Sequence, residues 1–232
     1  MGVSYNPSIV TDGLVLCLDA ANRRSYPGTG TTWTDLSGNG NNGTLTNGPT
    51  FTSDNGGGII FDGINTNVEI PHNTNQNLSK VNGHSVSVWC KWISGDYHQD
   101  IVSKDAEISY SREWLITKSD NNKFRSHVWS SSDIAIYRDS NYTPVSNQWV
   151  SLTQTWNGSI LSFYVNGSLD NSISANITPK NTSNIMRIAG GSDYGNGLYF
   201  YGSVSSVLLY QKSLTAIEVL QNYNATRGRY GI

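Results

Sequence analysis

The sequence is short of charged residues. Only 14% of its 232 residues are Asp, Glu, Lys or Arg, and the formal net charge is −2. Proteins that bind nucleic acid or an anionic membrane surface usually present a patch of excess Lys and Arg. Because no such excess exists here, we expect neither nucleic acid nor membrane among the partners.

Long apolar runs and cysteine are also scarce. A membrane-spanning helix needs about 20 mainly apolar residues in succession, and the chain has none. Its start, MGVSYNPSIVTDG, lacks the basic and apolar regions of a secretory signal. We therefore expect no transmembrane segment and no signal peptide. The two cysteines, Cys17 and Cys90, lie in apolar strand-like patterns, which predicts buried thiols, and nothing indicates a bridge between them.

Glutamate is also scarce, and this limits the carboxylate pairs that could catalyse glycoside hydrolysis. Glycoside hydrolysis needs two carboxylates that face each other across the scissile bond. The closest approach to a pair is Glu107 with Glu113, which lie six apart in a polar region typical of a solvated loop. The sequence has no Gly-x-Ser-x-Gly element, and its histidines lack the paired spacing of a zinc site. These absences predict a protein that is not an enzyme.

Turn residues, by contrast, are abundant, and they concentrate between Trp33 and Asp62. Four Asn-Gly pairs in this stretch tolerate positive φ and predict a series of tight turns. The apolar residues that would pin these turns to a core are Trp33, Leu36, Leu45 and Phe51. We expect an ordered crossing, neither strand nor helix, between an early buried strand and the next strand pair.

Strand patterns occupy most of the remaining chain. The run from Gly13 to Asp19 is continuously apolar, which predicts a central strand buried on both faces. Residues 84–93 alternate between two faces, as in a sandwich strand. Residues 149–165 predict a hairpin with a type I′ turn at Asn157-Gly158. Further short strand candidates recur about every ten residues, the rhythm of an antiparallel sandwich or barrel.

One helix is indicated, close to the end of the chain. Thr215 and Glu218 form a capping box, and Ile217, Leu220 and Tyr223 would supply its buried stripe. The sequence thus predicts an all-β fold with one short C-terminal helix. We expect a single domain over residues 1–232, with residues 1–12 as an N-terminal arm.

The order of several segments carries a resemblance to a known family. The segments are GLVLCLDAAN, WTDLSGNGNNGTLTNGP, IIFDG, NGSILSFYVNG and LLYQKSLTAIEVLQNYNATRGRYG. Together they resemble the concanavalin A-like lectin/glucanase superfamily, and more narrowly the laminin-G-like modules common in bacteriophage proteins. The resemblance implies a jelly-roll sandwich of two antiparallel sheets. The Glu-x-Asp-x-x-Glu strand of the family's glucanases is missing, and Ser205 and Ser206 stand where related modules often carry acidic residues.

Glycan binding without catalysis would use aromatic ring faces with polar side chains around them. The candidate carbohydrate-binding residues are Tyr97, Trp129, Tyr137, Asp193 and Tyr194. Calcium needs six to eight oxygen ligands, which acidic loops supply. The candidate calcium ligands are Asp62, Asp96 and Asp100. The alternative is that Asp62 caps its own turn and the other two carboxylates are solvated.

These observations lead to one functional expectation with two alternatives. We expect a non-catalytic, lectin-like protein on the virion surface of a phage, which binds glycans or decorates the particle. The phage assignment follows from the resemblance, chiefly from the closing QNYNATRGRYG. Other virion proteins and further copies of the chain are the expected protein partners. The alternatives are a structural capsid or tail subunit with no sugar site and a glucanase-like enzyme.

Overall fold

The alternating runs of the sequence form two antiparallel β-sheets packed face to face. The computed structural model describes residues 7–79, 81–95, 97–106, 111–190 and 198–232. The first sheet consists of Leu14–Asp19 (β1), Thr50–Thr52 (β4), Gly58–Asp62 (β5), His84–Trp92 (β7), Trp149–Trp156 (β12), Ile160–Val165 (β13), Ser168–Ser174 (β14) and Tyr201–Tyr210 (β16). The second consists of Thr32–Trp33 (β2), Gly43–Thr46 (β3), Asn67–Ile70 (β6), Gln99–Ala106 (β8), Ser111–Lys118 (β9), Phe124–Trp129 (β10), Ala135–Asp139 (β11) and Met186–Ile188 (β15). The predicted all-β sandwich is confirmed.

The chain crosses repeatedly between the sheets. The first sheet has the order β14-β13-β12-β7-β16-β5-β4, with β1 paired to β16, and the second has the order β11-β10-β9-β8-β15-β6-β3-β2. The inner faces of both sheets bury one continuous apolar core, whose largest side chains include the fully buried Trp33, Trp114 and Trp156. Because side chains alternate along a strand, the residues between the core positions point outward. A binding site built on the sheets would therefore use these outward-pointing residues.

The first strand, β1, is correctly predicted as buried but wrongly predicted as central. It pairs with β16 alone among the described strands. Leu16 and Leu18 face the core between the sheets, whereas Cys17 packs into a second apolar cluster on the outer face. The continuous apolar run therefore indicates that both faces of β1 are buried. Its outer face is buried by other elements that pack over the sheet, and this does not require a neighbouring strand on each side.

The glycine-rich crossing contains more regular structure than the sequence suggests. It includes the short strands β3 and β4, so the expectation of turns alone is wrong. Turns do flank these strands, with positive φ at Gly38 and Gly40 before β3 and at the pair Asn47-Gly48 between β3 and β4. Since β3 belongs to the second sheet and β4 to the first, the crossing carries the chain from one layer to the other.

The hairpin of β12 and β13 is confirmed, but its turn is not of type I′. A type I′ turn needs positive φ at both central residues. Only Gly158 has positive φ here, and the connection has three residues because Asn157, Gly158 and Ser159 all lie outside the strands. The two-residue turn with both φ angles positive is the next one, Asn166-Gly167, which joins β13 to β14.

The helix Ala216–Thr226 (α1) begins at the predicted capping box but buries a different face. The Thr215 side chain accepts from the Glu218 backbone, and the Glu218 carboxylate accepts from the Thr215 backbone. Ile217 is 80% exposed and Leu220 is 45% exposed, so the predicted buried stripe is wrong. The sequence pattern fails because the helix lies on a sheet face rich in serine, threonine and aromatic residues. No helix among the described residues is long and apolar enough to cross a membrane.

Residues Val219 and Asn222 form the buried side of α1, and Asn222 ties the N-terminal segment to the fold. Its Oδ1 accepts from the Val10 backbone N–H at 2.8 Å, and its Nδ2 donates to the Tyr210 hydroxyl at 3.0 Å. Residues 7–12 of the predicted arm therefore pack beside the helix, while residues 1–6 lie outside the described part.

Gly57, within the crossing, is held against the neighbouring backbone. It has φ 147°, and a Cβ atom there would lie 2.4 Å from the carbonyl oxygen of Ala20. We expect Gly57→Ala to lower the free energy of unfolding by about 2–3 kcal/mol, because both the backbone and the contact must be strained. The control is Gly48→Ala, where φ is 79° and nothing lies within 4 Å, for which we expect about 1 kcal/mol. Urea unfolding measures both, and equal losses would contradict the close-approach argument.

Candidate functional site

A groove of about 270 Å³ lies on the outer face of the second sheet, across β8, β9 and β10. Its lining residues combine aromatic, charged and apolar side chains: His98, Asp100, Asp105, Arg112, Leu115, Thr117, His127, Trp129 and Leu198. Two of the residues singled out from the sequence, Trp129 and Asp100, are among them. We refer to the second sheet as sheet B and call this surface the sheet-B groove.

Strand alternation builds the aromatic part of the groove. In β10, Phe124 and Val128 point into the core, so the alternating partners His127 and Trp129 point outward. In β11, Tyr137 lies directly opposite His127 in the antiparallel register. The His127 ring stacks on Trp129 at 4.9 Å and on Tyr137 at 5.3 Å between centroids. Two residues predicted from sequence to bind carbohydrate are thus joined through a histidine.

The three stacked rings differ in how much surface they offer. Trp129 is only 5% exposed, with the Arg112 guanidinium 5.6 Å from its ring centroid. Tyr137 is 48% exposed, with the Arg125 guanidinium 4.6 Å from its ring centroid. Trp129 therefore forms a wall of the groove, whereas Tyr137, which lies beside the groove against His127, is the ring with free surface for a ligand.

The charges beside these rings occur as opposite pairs. Arg112 Nε lies 3.6 Å from Asp105 Oδ1. Arg125 donates to both carboxylate oxygens of Asp139 through Nε and Nη2. Burial alone would raise the pKa of Asp139, but hydrogen bonds from Arg125 and Asn121 outweigh it and hold that pKa below its ordinary value. The Arg125–Asp139 pair therefore remains ionised at neutral pH, and both pairs present fixed donors and acceptors.

His127 is neutral under the same conditions. Burial, followed by the positive charge of Arg125, lowers its pKa to about 3. Its Nδ1 has no hydrogen-bond partner within the described part of the chain. A neutral imidazole nitrogen can donate or accept one hydrogen bond, depending on its tautomer. That nitrogen is buried, so a ligand in the groove has no direct access to it.

The other candidate carbohydrate-binding residues are not gathered in this groove. Tyr97 is 49% exposed and adjoins His98 in sequence, but it does not line the groove. Asp193 and Tyr194 lie outside the described residues. Their proposed roles therefore stay predictions.

Of the candidate calcium ligands, Asp62 acts as a turn cap. Its Oδ1 accepts from the backbone N–H groups of Ile64, Asn65 and Thr66 and from the Thr66 hydroxyl, at 2.8–3.2 Å. Burial opposes these hydrogen bonds, which nevertheless lower the pKa of Asp62. This carboxylate has a structural role whether or not a metal binds.

Of the other two candidate ligands, only Asp100 belongs to the described residues. Asp100 is 1% exposed and lines the sheet-B groove, and Asp96 lies outside the described residues. Among the residues that the structure describes, no group of three or more His, Cys, Asp or Glu side chains could hold a metal ion. The calcium site stays a prediction.

The region predicted as a polar loop is largely strand, and this changes the status of Glu113. It lies in β9, is fully buried, and forms an ion pair with Lys104. Its Oε1 also accepts from the backbone and the hydroxyl of Thr182 at 2.6 Å. Glu107 lies outside the described residues. The expectation of a solvated Glu113 is wrong, because a lysine on β8 neutralises it inside the protein.

The sequence and the architecture identify the family. A laminin-G-type family model, described as concanavalin A-like lectin/glucanases superfamily, matches residues 61–220. The chain belongs to the concanavalin A-like lectin/glucanase superfamily. The matched range includes β6 to β16 and therefore the whole sheet-B groove.

Several bacterial toxin domains share this superfamily fold. The binding domain of Paraclostridial Mosquitocidal Protein 1 superposes with a TM-score of 0.75 at 18% identity, over 93% of this chain and 52% of that one. The botulinum neurotoxin serotype D ligand binding domain, in complex with N-acetylneuraminic acid, gives 0.72 at 14% identity, over 92% and 51%. The botulinum neurotoxin DC binding domain, in complex with SialylT, gives 0.71 at 15% identity, over 93% and 52%.

These similarities bear on the fold alone. The chain spans about half the length of each of these toxin domains. None of the curated proteins matches the sequence. What the superfamily member described here binds must therefore be argued from its own residues.

Sequence reasoning found two of the three stacked rings and missed the third. His127 could have been found, because period-2 alternation in FRSHVW places it on the same face as Trp129. Arg112 could not, since its position over Trp129 depends on the register between β9 and β10. No local pattern in the sequence states that register.

Proposed function

We propose that this chain is a non-catalytic, lectin-like domain that binds a glycan in the sheet-B groove. The observation that carries the proposal is the ring stack of Trp129 and His127, which line the groove, with Tyr137 beside them. Aromatic rings pack against the apolar face of a pyranose, and a few fixed polar groups then select its hydroxyls.

The polar groups of the groove suit a ligand rich in hydroxyls. Arg112 with Asp105 in the groove, and Arg125 with Asp139 beside it, present donors and acceptors without a large net charge. We infer that the glycan is read by hydrogen bonds from these groups, while Tyr137 supplies the contact with a sugar ring.

The proposed domain has no catalytic role. Glycosidases need two carboxylates that reach the substrate, with one of them free to donate a proton. Glu113 cannot do this, because it is fully buried and held by Lys104 and Thr182. We expect no release of reducing ends from β-glucans, and sustained hydrolysis that disappears in Glu107→Gln would contradict the proposal.

We further propose that the domain is part of a phage virion surface. This placement is supported by the resemblance of the closing segment QNYNATRGRYG to phage modules. Antibodies raised against the domain are expected to label intact particles in electron micrographs. If particles remain unlabelled while the host cytoplasm is labelled, the placement is wrong.

The test of glycan binding is the substitution Tyr137→Ala. We expect the wild-type domain to bind a subset of a glycan array and the variant to bind the same glycans about two- to tenfold more weakly, since an aromatic contact contributes about 0.5–1.5 kcal/mol. The substitution should leave the melting temperature nearly unchanged, because Tyr137 is 48% exposed. The control is Tyr201→Ala, which removes a tyrosine 37% exposed on the other sheet.

Two outcomes would contradict the binding proposal. Equal losses of affinity in Tyr137→Ala and Tyr201→Ala would place the site outside the groove. Absence of binding with and without added calcium, in a domain that still attaches to particles, would instead support the structural decoration subunit. The same array with EDTA tests the calcium prediction, because binding and melting that are unchanged by EDTA would exclude a required metal.

A further inference from the structure

A second and larger cavity, of about 380 Å³, lies on the outer face of the first sheet, beneath α1. The sheet forms its floor, α1 covers it, and the N-terminal segment from Pro7 to Leu14 closes one side. It is on the opposite side of the sandwich from the sheet-B groove and shares no lining residue with it. We call it the helix cavity.

The helix cavity exists because small hydroxyl residues occupy its floor. Three neighbouring strands align Ser206, Trp89 and Ser151 in one row across the sheet. In the next row, Leu208 and Ser87 are paired. A serine side chain fills far less space than the bulky residues of the inner face, so the helix rests on the aromatic residues and leaves room beside them.

Aromatic contacts hold the helix above this floor. The Trp89 ring stacks on Tyr230 at 4.0 Å and on Tyr223 at 5.6 Å between centroids. Its Nε1 donates to the Thr226 hydroxyl at 2.8 Å. On the far side, the Ser8 carbonyl accepts from the side chain of Gln221 at 2.8 Å. The cavity is therefore framed by fixed contacts and does not depend on a loose segment.

The lining combines apolar and polar side chains, and the charged residues in it cancel each other. Its apolar walls are Leu14, Leu36 and Leu208, together with Trp89. The charges at one end cancel, because Arg229 Nη1 lies 2.8 and 2.9 Å from the two carboxylate oxygens of Asp19.

The hydroxyls of the floor fall into two kinds. The Ser87 hydroxyl already bonds to Thr153 at 2.8 Å. The Ser151 hydroxyl has no hydrogen-bond partner within the described chain, although both backbone groups of Ser151 bond to Asn166. Ser151 therefore offers a donor and an acceptor to the cavity.

We propose that the helix cavity binds an uncharged amphipathic small molecule, with its apolar part against the three leucines and its hydroxyl bonded to Ser151. The volume falls in the range of small-molecule pockets, which are mainly apolar with few polar groups. A charged group would be desolvated there without a partner, because Asp19 and Arg229 already neutralise each other. The proposal is independent of glycan binding in the sheet-B groove.

Matched probes that are not sugars test this proposal in isothermal titration calorimetry with the full chain. The neutral probe is 2-cyclohexylethanol, and its charged counterparts are cyclohexylacetate and 2-cyclohexylethylamine. We expect the alcohol to bind at least tenfold more tightly than either charged probe. Binding of the alcohol should be unchanged in Tyr137→Ala, which alters only the ring stack beside the sheet-B groove, on the other sheet.

Substitutions at Ser151 locate the binding. Ser151→Leu should fill the cavity and abolish binding, while Ser151→Ala should keep the cavity and weaken binding about fivefold through one lost hydrogen bond. The control is Ser174→Leu, at an exposed position of β14, which should bind as the wild type does. Ser151→Ala also keeps the test valid if the leucine variant fails to fold.

Three results would overturn the proposal. One is the absence of measurable heat with the alcohol in the folded wild-type chain. Another is undiminished binding in both Ser151 variants, which would place the probe elsewhere. The third is a charged probe that binds as tightly as the alcohol, which would contradict the neutral chemistry of the cavity.

Discussion

Replacing Lys104 with methionine is expected to lower the free energy of unfolding by about 3–5 kcal/mol, because Glu113 is then left buried without its partner. Both side chains are fully buried. Lys104 Nζ also donates to Asn77 Oδ1 and to the Thr182 carbonyl, each at 2.9 Å. One ammonium group thus satisfies acceptors from three parts of the chain, and an apolar side chain satisfies none of them.

Guanidinium unfolding of three variants isolates this effect. Lys180→Met removes a lysine paired with the half-exposed Asp133, and for it we expect less than about 1 kcal/mol. The double variant Lys104→Met/Glu113→Met should recover most of the loss, since two apolar side chains need no charge partner. A loss below 1 kcal/mol in Lys104→Met, or a double variant as unstable as the single one, would show that the pair is not what stabilises this region.

The buried pair also has a consequence for the site. Glu113 accepts hydrogen bonds from Thr182, while the preceding residue, Arg112, lines the sheet-B groove. The pairing of β8 with β9 shifts register between Lys104 and Asp105, so that Asp105 lies opposite Arg112. The ion pair therefore fixes the strand segment from which the groove takes Arg112 and Asp105.

How far the sequence could predict the fold depends on the kind of pattern. Period-2 alternation gave β7 and the hairpin strands β12 and β13, and the capping box gave the start of α1, because each is a local property. The prediction of which face of α1 is buried was wrong, since Ile217 and Leu220 are exposed. Which face of a helix is covered depends on the surface it meets, and that surface comes from strands far away in the sequence.

The candidate site likewise combines residues that a local sequence pattern predicts with contacts that depend on how distant strands pair. Trp129 and Tyr137 were found as aromatic residues, but their stacking through His127 requires the register of β10 with β11. The polar residues around Glu113 in the sequence predict a solvated carboxylate. Only the neighbouring strand reveals the lysine that makes its burial possible.

The stability of the protein should fall by about 4 kcal/mol between pH 7 and pH 5 through two histidines that are neutral in the fold. His84 is fully buried against Trp114, and neither of its ring nitrogens has a hydrogen-bond partner in the described chain. Burial, and then the charge of Lys104, lowers its pKa from 6.5 to about 3. His127 is lowered to about 3 by burial and by Arg125.

The direction of this pH dependence is set by whether the folded or the unfolded chain binds the proton. Between about pH 6.5 and pH 3, both histidines are protonated in the unfolded chain and neutral in the folded one, so acid favours unfolding. At pH 5 each contributes about 2 kcal/mol of this loss. The carboxylates of Asp62, Asp139 and Glu218 have lowered pKa values, and their contribution is lost only below about pH 4.5, the upper end of the ordinary Asp and Glu range.

Urea unfolding at half-unit steps from pH 7 to pH 5 measures this loss, and two variants assign it. His84→Leu should remove about half of the pH dependence, because leucine packs against Trp114 and takes up no proton. His127→Gln should remove most of the remainder, and the double variant should be nearly flat above pH 5. Since His127 also lies in the sheet-B groove, His127→Gln is expected to weaken glycan binding, whereas His84→Leu is not. If the single variants keep the full wild-type slope, the acid sensitivity comes from other groups and the neutral state of these two histidines is disproved.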